Sequence, residues 1–170
     1  MTHGIDWPEG FAPGTTDNFI SEELVVPALS AAGVWPHLVD TAQWISYYGY
    51  MSEVAVADGG GLLRLGTRFR LSTLSYAVDA EVTQYREPSR GIPGLLAWRG
   101  RVEEATGRLD LYHGWRVEDL AGGGVRILTQ ETQTGELARE IAKADPSPML
   151  YAHQDWVKGL ASTALRAMEG

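Results

Sequence analysis

Residues 147–168, SPMLYAHQDWVKGLASTALRAM, decide the fold of this chain. Ser147 is a favoured N-cap residue, and Pro148 suits the first helical position, where no backbone N–H is needed. Apolar residues then recur at steps of three and four, which predicts an amphipathic helix roughly 32 Å long. Its predicted apolar face consists of Met149, Leu150, His153, Trp156, Val157, Leu160, Ala161, Ala164, Leu165 and Met168. A face of this length needs a wide partner surface.

Composition narrows the class of protein. The chain has 170 residues, of which 44% are hydrophobic and 21% charged, as expected for one globular domain with a sizeable core. Its net charge is −8 and its 14 Lys and Arg residues are scattered, so we expect neither a nucleic-acid surface nor a patch for anionic membranes. The absence of cysteine excludes disulfides and thiolate chemistry and fits a cytoplasmic protein. No apolar run approaches 18 residues, so no stable membrane insertion is expected.

The regions before the long helix are predicted from turn residues and periodicity. Residues 1–17 are rich in Gly and Pro and predict a flexible N-terminal arm, which leaves residues 18–170 as a single domain. A strand at 19–26 is followed by two short helices, at 31–39 and 41–48. The period then changes to two, and strands are predicted at 51–56, 68–74, 76–85, 94–103, 108–120 and 125–134. Short turns between long strands indicate an antiparallel meander, and a short helix at 136–144 leads into the long one.

Alternation within the strands predicts which side chains face the core. In 108–120 the odd positions are the apolar set, and in 125–134 the odd positions also face inward if Arg126 is in solvent. In 76–85 we expect Tyr76, Val78, Ala80, Val82 and Gln84 inward. The tight turn between 108–120 and 125–134 predicts that the numbers of opposed residues add to about 245. If the odd positions of both strands face inward, the sum is even, 244 or 246. His113 then lies opposite Glu131 or Gln133, with Cβ atoms about 4.5–5.5 Å apart.

The predicted elements follow the order strand, two short helices, six strands and long helix, and short motifs occur along this order. They are Val26-Pro-Ala28 leading to Val34-Trp35-Pro36, Trp44 followed by Tyr50 and Glu53-Val54, Gly66-Thr-Arg-Phe69, Leu96-Ala-Trp-Arg-Gly100, His113-Gly-Trp-Arg-Val117 and Gln130-Glu-Thr-Gln-Thr-Gly135. Over residues 17–165 this order resembles the SRPBCC superfamily of START-like domains, and within it the polyketide cyclase/dehydrase and lipid-transport type. The resemblance implies an α+β helix-grip fold, in which a curved antiparallel sheet of about seven strands wraps around the C-terminal helix.

The same resemblance implies a cavity between the sheet and the long helix that takes up a small hydrophobic molecule. Members of the superfamily often have an apolar aromatic residue just before the position of Gly135. This chain has Gln133 and Thr134 there, so we expect a more polar inner end of the cavity. We expect no cofactor, and either a monomer or a homodimer.

Candidate site residues follow from the inward faces and the aromatic helices. The candidate ligand-binding residues are Trp44, Tyr48, Phe69, Trp98, Trp115, Thr129, Gln133, Trp156 and Leu160. The tryptophans are also interpreted as plain core residues, and both interpretations stay open. The candidate catalytic residues are His113, Glu131 and His153, and the alternative is a buried pair that only fixes the strand register. No metal is predicted, because the histidines lack His-x-His or His-x-x-x-His spacing.

Two functional hypotheses from different classes remain open. In the first, the domain binds a lipid-like or polyketide-like molecule and performs no chemistry. In the second, it is a polyketide cyclase/dehydrase-like enzyme whose His and Glu side chains move protons during aldol cyclisation or dehydration. A weaker third hypothesis is a cochaperone-like interaction module. The triglycine runs at 59–61 and 122–124 lack the spacing of nucleotide-binding loops. A separate hypothesis is that the first run, together with Asp58, forms a gate for ligand entry.

Overall fold

The computed structural model describes residues 4–170, and its elements follow the predicted order. The strands are β1 (Asn18–Val26), β2 (Met51–Val56), β3 (Arg68–Thr73), β4 (Tyr76–Arg86), β5 (Gly94–Glu104), β6 (Gly107–Asp119) and β7 (Val125–Thr134). The helices are α1 (Ala31–Val39), α2 (Trp44–Tyr47), α3 (Glu136–Ala142) and α4 (Pro148–Glu169). A short 3-10 helix, Thr41–Gln43, precedes α2, so the helix predicted at 41–48 forms in two pieces.

One antiparallel sheet contains all seven of these strands, in the order β1-β7-β6-β5-β4-β3-β2. Helix α4 packs against β1 and β7 of this sheet and against α1 and α2. The core lies between the sheet and this helical layer. The predicted helix-grip fold is therefore confirmed. No helix within residues 4–170 has the length and hydropathy needed to cross a membrane.

Helix α4 begins as predicted, since the Ser147 hydroxyl accepts a hydrogen bond from the Leu150 N–H at 3.3 Å. Its buried residues are Met149, Ala152, His153, Trp156, Val157, Leu160, Ala161 and Ala164. The prediction was wrong for Leu150 and Met168, which are exposed. The buried set repeats every 3.6 residues from Met149, and in the first turn Ala152 occupies the inward position instead of Leu150.

The inward faces of the strands agree with the alternation except at the end of β4. Val78, Ala80 and Val82 are buried, but a β-bulge lies between Val82 and Gln84. The extra residue reverses the alternation. Gln84 therefore pairs with Ala97 and lies on the outer face, where its amide contacts the carboxylate of Asp6 at 3.2 Å. The prediction that Gln84 faces inward was wrong.

The N-terminal segment packs on the outer face of the sheet. Phe11 is buried there with Ala97 and Tyr112, and the ring of Trp7 lies 5.6 Å from the ring of Tyr112. A Cβ atom at Gly114 would lie 2.7 Å from the Ile5 side chain, so a larger residue at 114 would displace Ile5. Residues 1–3 of the predicted arm lie outside the described residues. The mobility of the arm stays a prediction.

Candidate functional site

A buried cavity of about 40 Å³ lies between the inner face of the sheet and helix α4. It is lined by Tyr48, Leu71, Thr73, Leu74, Tyr76, Val78, Trp98, Val102, Leu109, Leu111, His113, Glu131, Gln133, Ile141, Met149, His153 and Trp156. The half-buried lining residues Thr73, Leu74 and Tyr76 belong to the β3–β4 hairpin, so the cavity approaches the surface there.

Four of the candidate ligand-binding residues line this cavity: Tyr48, Trp98, Gln133 and Trp156. The other five are buried but are not part of its wall: Trp44, Phe69, Trp115, Thr129 and Leu160. Trp44, for example, packs behind the wall, with its ring 5.9 Å from Trp98 and 5.1 Å from Trp156. Contact between any of the nine residues and a ligand stays a prediction.

Several wall residues were missing from the candidate set. Alternation places Leu71, Val78 and Leu111 on the inner face, so these could have been found from the sequence. The residues of the β3–β4 turn carry no such signal, because Leu74 and Ser75 have positive φ values of 52° and 69° and interrupt the alternation. Among the described residues, none of 58–61 lines the cavity, and the Gly61 carbonyl is held by Thr41 at 2.8 Å. A gate formed by this loop with the short helices near Trp44–Tyr50 stays a prediction.

The three candidate catalytic side chains converge at one end of the cavity. His113 on β6 lies directly opposite Glu131 on β7, as the hairpin arithmetic predicts, and α4 contributes His153. The Nδ1 atom of His113 is 3.7 Å from the Glu131 Oε2 atom, and the Nε2 atom of His153 is 3.0 Å from the same oxygen. All three side chains are at least 95% buried.

Each of these three side chains is oriented by a second polar contact on its far side. The His153 Nδ1–H donates to the carbonyl of Met149 at 2.7 Å. The Gln133 amide donates to Glu131 Oε1 at 3.1 Å. His113 Nε2 lies 2.7 Å from the Thr129 hydroxyl. The same hydroxyl lies 3.4 Å from the Gly114 carbonyl, which can only accept.

Burial and mutual contact decide the charges of this cluster. Burial lowers the pKa of His113 to about 3, against the opposing attraction of Glu131. Burial by itself would raise the pKa of Glu131, but the contacts with His153, His113 and Gln133 outweigh it and lower that pKa. The site therefore contains a buried carboxylate next to a neutral imidazole at neutral pH.

Aromatic rings enclose the cluster. The ring of His113 lies 4.6 Å from Trp98, 5.5 Å from Trp115 and 5.4 Å from Trp156. Trp156 is stacked on Tyr48 with a ring separation of 4.3 Å. These rings keep bulk water away, so charges at the cluster act in a medium of low polarity.

An antiparallel sheet closed over a long C-terminal helix, with a buried cavity between them, defines a helix-grip domain. The chain has this helix-grip fold. It is 38% identical to the hypothetical protein jhp0584 from Helicobacter pylori, over 96% of this chain and 98% of that protein, with a TM-score of 0.88. At this identity and coverage the two proteins belong to one family.

More distant structures share the fold alone. The Zhui aromatase/cyclase from Streptomyces sp. R1128 has 13% identity and a TM-score of 0.68, covering 89% of this chain and 95% of that one. Norcoclaurine synthase from Thalictrum flavum has 15% identity and a TM-score of 0.59, covering 89% and 96%. No protein-family model matches the sequence, and a comparison with curated proteins finds no match.

Proposed function

We propose that this protein binds a small hydrophobic molecule, lipid-like or polyketide-like, between the sheet and helix α4. One observation carries the proposal: the cavity has a mostly apolar wall, and its ionisable groups are clustered at one end. Apolar burial drives binding at about 25 cal/mol per Å², and a few placed polar groups fix the orientation of a ligand. The ligand therefore has an apolar body and one polar group that binds at Glu131 and Gln133.

Binding requires the cavity to expand. Pockets for small molecules have volumes of about 300–1,000 Å³, which is far more than the 40 Å³ between these side chains. The β3–β4 hairpin is the least buried part of the wall, and Tyr48, which is stacked on Trp156, contacts Thr73 of this hairpin at 2.8 Å, so we expect these residues to move. The fluorescence of Trp156 should then change when ligand binds.

Native mass spectrometry of the protein purified from its own host tests the proposal. We expect a complex heavier than the chain, which releases a hydrophobic molecule on denaturation. A chain that carries no ligand and also fails to bind a panel of fatty acids and aromatic polyketides would contradict the proposal.

A matched pair of variants places the ligand in this cavity. Val78→Phe fills the cavity, because Val78 is buried in its wall, whereas Val25→Phe adds the same atoms at a half-exposed position on β1. We expect Val78→Phe to weaken binding at least tenfold and Val25→Phe to leave it unchanged. Equal affinities of the two variants would mean that the ligand binds elsewhere.

A second candidate is a polyketide cyclase/dehydrase-like enzyme that catalyses aldol cyclisation or dehydration. The observation that favours it is the convergence of His113, Glu131 and His153 on one point of the cavity wall, since a carrier needs fewer polar groups. The test is incubation with a poly-β-ketone surrogate. A cyclised or dehydrated product that the wild type forms and Glu131→Gln does not form would favour the enzyme over the carrier.

A further inference from the structure

Three potential metal-ligand atoms face one another in the buried cluster. They are Nδ1 of His113, a carboxylate oxygen of Glu131 and Nε2 of His153, and they all lie within 4.8 Å of one another. The far-side contacts hold Nδ1 of His153 at the Met149 carbonyl and Nε2 of His113 at the Thr129 hydroxyl, so the other nitrogen of each ring faces the cluster. A carboxylate oxygen and two imidazole nitrogens, three atoms of the kinds that ligate metal ions, therefore face one space.

Hydrogen bonding within the described residues does not satisfy this arrangement. His153 Nε2 is buried and has no hydrogen-bond partner among residues 4–170, since Glu131 Oε2, although 3.0 Å away, lies off the direction of a ring N–H. His113 Nδ1 is 3.7 Å from that oxygen, too far for a hydrogen bond. An ion pair between His153 and Glu131 would still leave the Nδ1 atom of His113 without a hydrogen bond among residues 4–170. A cation between the three atoms satisfies all of them.

We propose that His113, Glu131 and His153 bind a divalent first-row transition-metal ion. Two imidazoles and one carboxylate suit Zn²⁺ or Fe²⁺ and do not suit Mg²⁺ or Ca²⁺, which take oxygen ligands. Tetrahedral bonds of about 2.0–2.1 Å place ligand atoms ~3.4 Å apart. The 3.0 and 3.7 Å separations to Glu131 Oε2 are close to this value.

The surroundings of the three side chains match those of metal ligands. Histidine ligands characteristically donate their other N–H to a carbonyl, hydroxyl or carboxylate, which fixes the ring, and ligating carboxylates are hydrogen-bonded as well. Here Met149, Thr129 and Gln133 supply these contacts. The ligands come from two strands and one helix, and the cavity leaves a further coordination position open to a bound molecule. This proposal is independent of the proposed function, because an ion can bind without any hydrophobic ligand.

Titration of the metal-free, full-length protein with Co²⁺ and Zn²⁺ tests the site. After treatment with EDTA and its removal, we expect one Co²⁺ per chain with visible d–d absorption of a four- or five-coordinate ion, displaced by Zn²⁺. Mg²⁺ should not displace Co²⁺. Absence of this absorption, with no Zn²⁺ bound by calorimetry, would overturn the proposal and leave the cluster as a buried ion pair.

Variants assign the ligands. Glu131→Gln and His153→Ala should abolish the Co²⁺ absorption. Thr129→Val, which removes the hydroxyl that contacts His113 and the Gly114 carbonyl, should weaken Zn²⁺ binding about 10–100-fold. His37→Ala is the matched control, because His37 contacts Gln43 far along the chain from the cluster. Circular dichroism of each metal-free variant shows whether it is folded. Folded Glu131→Gln protein with an unchanged Co²⁺ spectrum, or an equal loss in His37→Ala, would refute the assignment.

Discussion

His113 and Glu131 face each other directly across strands β6 and β7, with Nδ1 3.7 Å from Oε2. The backbone ladder fixes this pairing, and a slip of one residue would turn one of the two side chains to the outer face of the sheet. Helix α4 then brings His153 to the same carboxylate. The polar end of the cavity is therefore specified by strand register together with helix packing.

Replacement of Glu131 by glutamine should destabilise the metal-free protein. The variant keeps the shape of the side chain but removes the buried carboxylate that accepts from Gln133 and lies next to His153. We expect a loss of about 2 kcal/mol in the free energy of unfolding, measured with urea in the presence of EDTA. Glu53→Gln, at an exposed position of β2, is the control and should change stability by less than about 0.5 kcal/mol. An equally small change for Glu131→Gln would mean that the carboxylate contributes no net stability.

Replacement of Gly159 by alanine should destabilise the protein, against the usual preference of helices for alanine. In an exposed helix interior this change stabilises by about 1 kcal/mol. Here a Cβ atom on Gly159 would overlap the backbone carbonyl oxygen of Tyr47, so α4 would have to move away from α2. We expect a loss of at least about 2 kcal/mol in thermal or urea unfolding.

Gly122 provides the matched comparison for this test. A Cβ atom there meets no other atom within 4 Å, so Gly122→Ala should leave the unfolding midpoint nearly unchanged. If both alanine variants unfold at the wild-type midpoint, α2 and α4 are not packed as closely as the structure has them.

Stability should fall in alkaline solution because of two buried tyrosines. Burial raises the pKa of Tyr47 and of Tyr48 above the ordinary value of 10.0. Since the folded state holds these protons more tightly than the unfolded state, the associated stability is complete below about pH 10 and is lost as the pH rises toward the folded pKa. Each of the two tyrosines lowers the free energy of unfolding by up to about 1.4 kcal/mol per pH unit in this range.

Urea unfolding at several pH values between 9 and 12 measures this slope. Tyr48→Phe should reduce it, because the variant has one ionisable group fewer, and Tyr151→Phe at an exposed position should not. An unchanged slope in Tyr48→Phe would show that the Tyr48 hydroxyl ionises as readily in the folded protein as in the unfolded chain.

Local structure and strand register are predictable from this sequence because both depend on short-range patterns of residues. The tight turn between β6 and β7 restricts the register to two values, and the observed partners His113 and Glu131 add to one of them. The β4 bulge is different. Nothing in the alternation around Val82 and Gln84 marks an extra residue, since a bulge depends on how neighbouring strands fit together.

The site is predicted less well than the fold, because it is assembled from three separate elements. Spacing rules for metal ligands apply to residues on one helix or strand, and His113, Glu131 and His153 share none. The volume of the cavity is also invisible in the sequence. It depends on how rings such as Trp98 and Trp156 pack, and the sequence leaves open whether they fill the core or contact a ligand.

Phe11 should contribute to stability although it lies in the segment that the sequence predicts to be a flexible arm. Its side chain is 8% exposed, lies 6.1 Å from the ring of Tyr112, and has the guanidinium of Arg99 4.9 Å above its ring. Phe11→Ala should therefore lower the free energy of unfolding by about 3 kcal/mol in urea. Phe19→Ala is the matched control, because Phe19 is 42% exposed and should change stability by less than about 1 kcal/mol. If Phe11→Ala is as stable as the control, the segment is a flexible arm after all, and the outer face of the sheet does not depend on it.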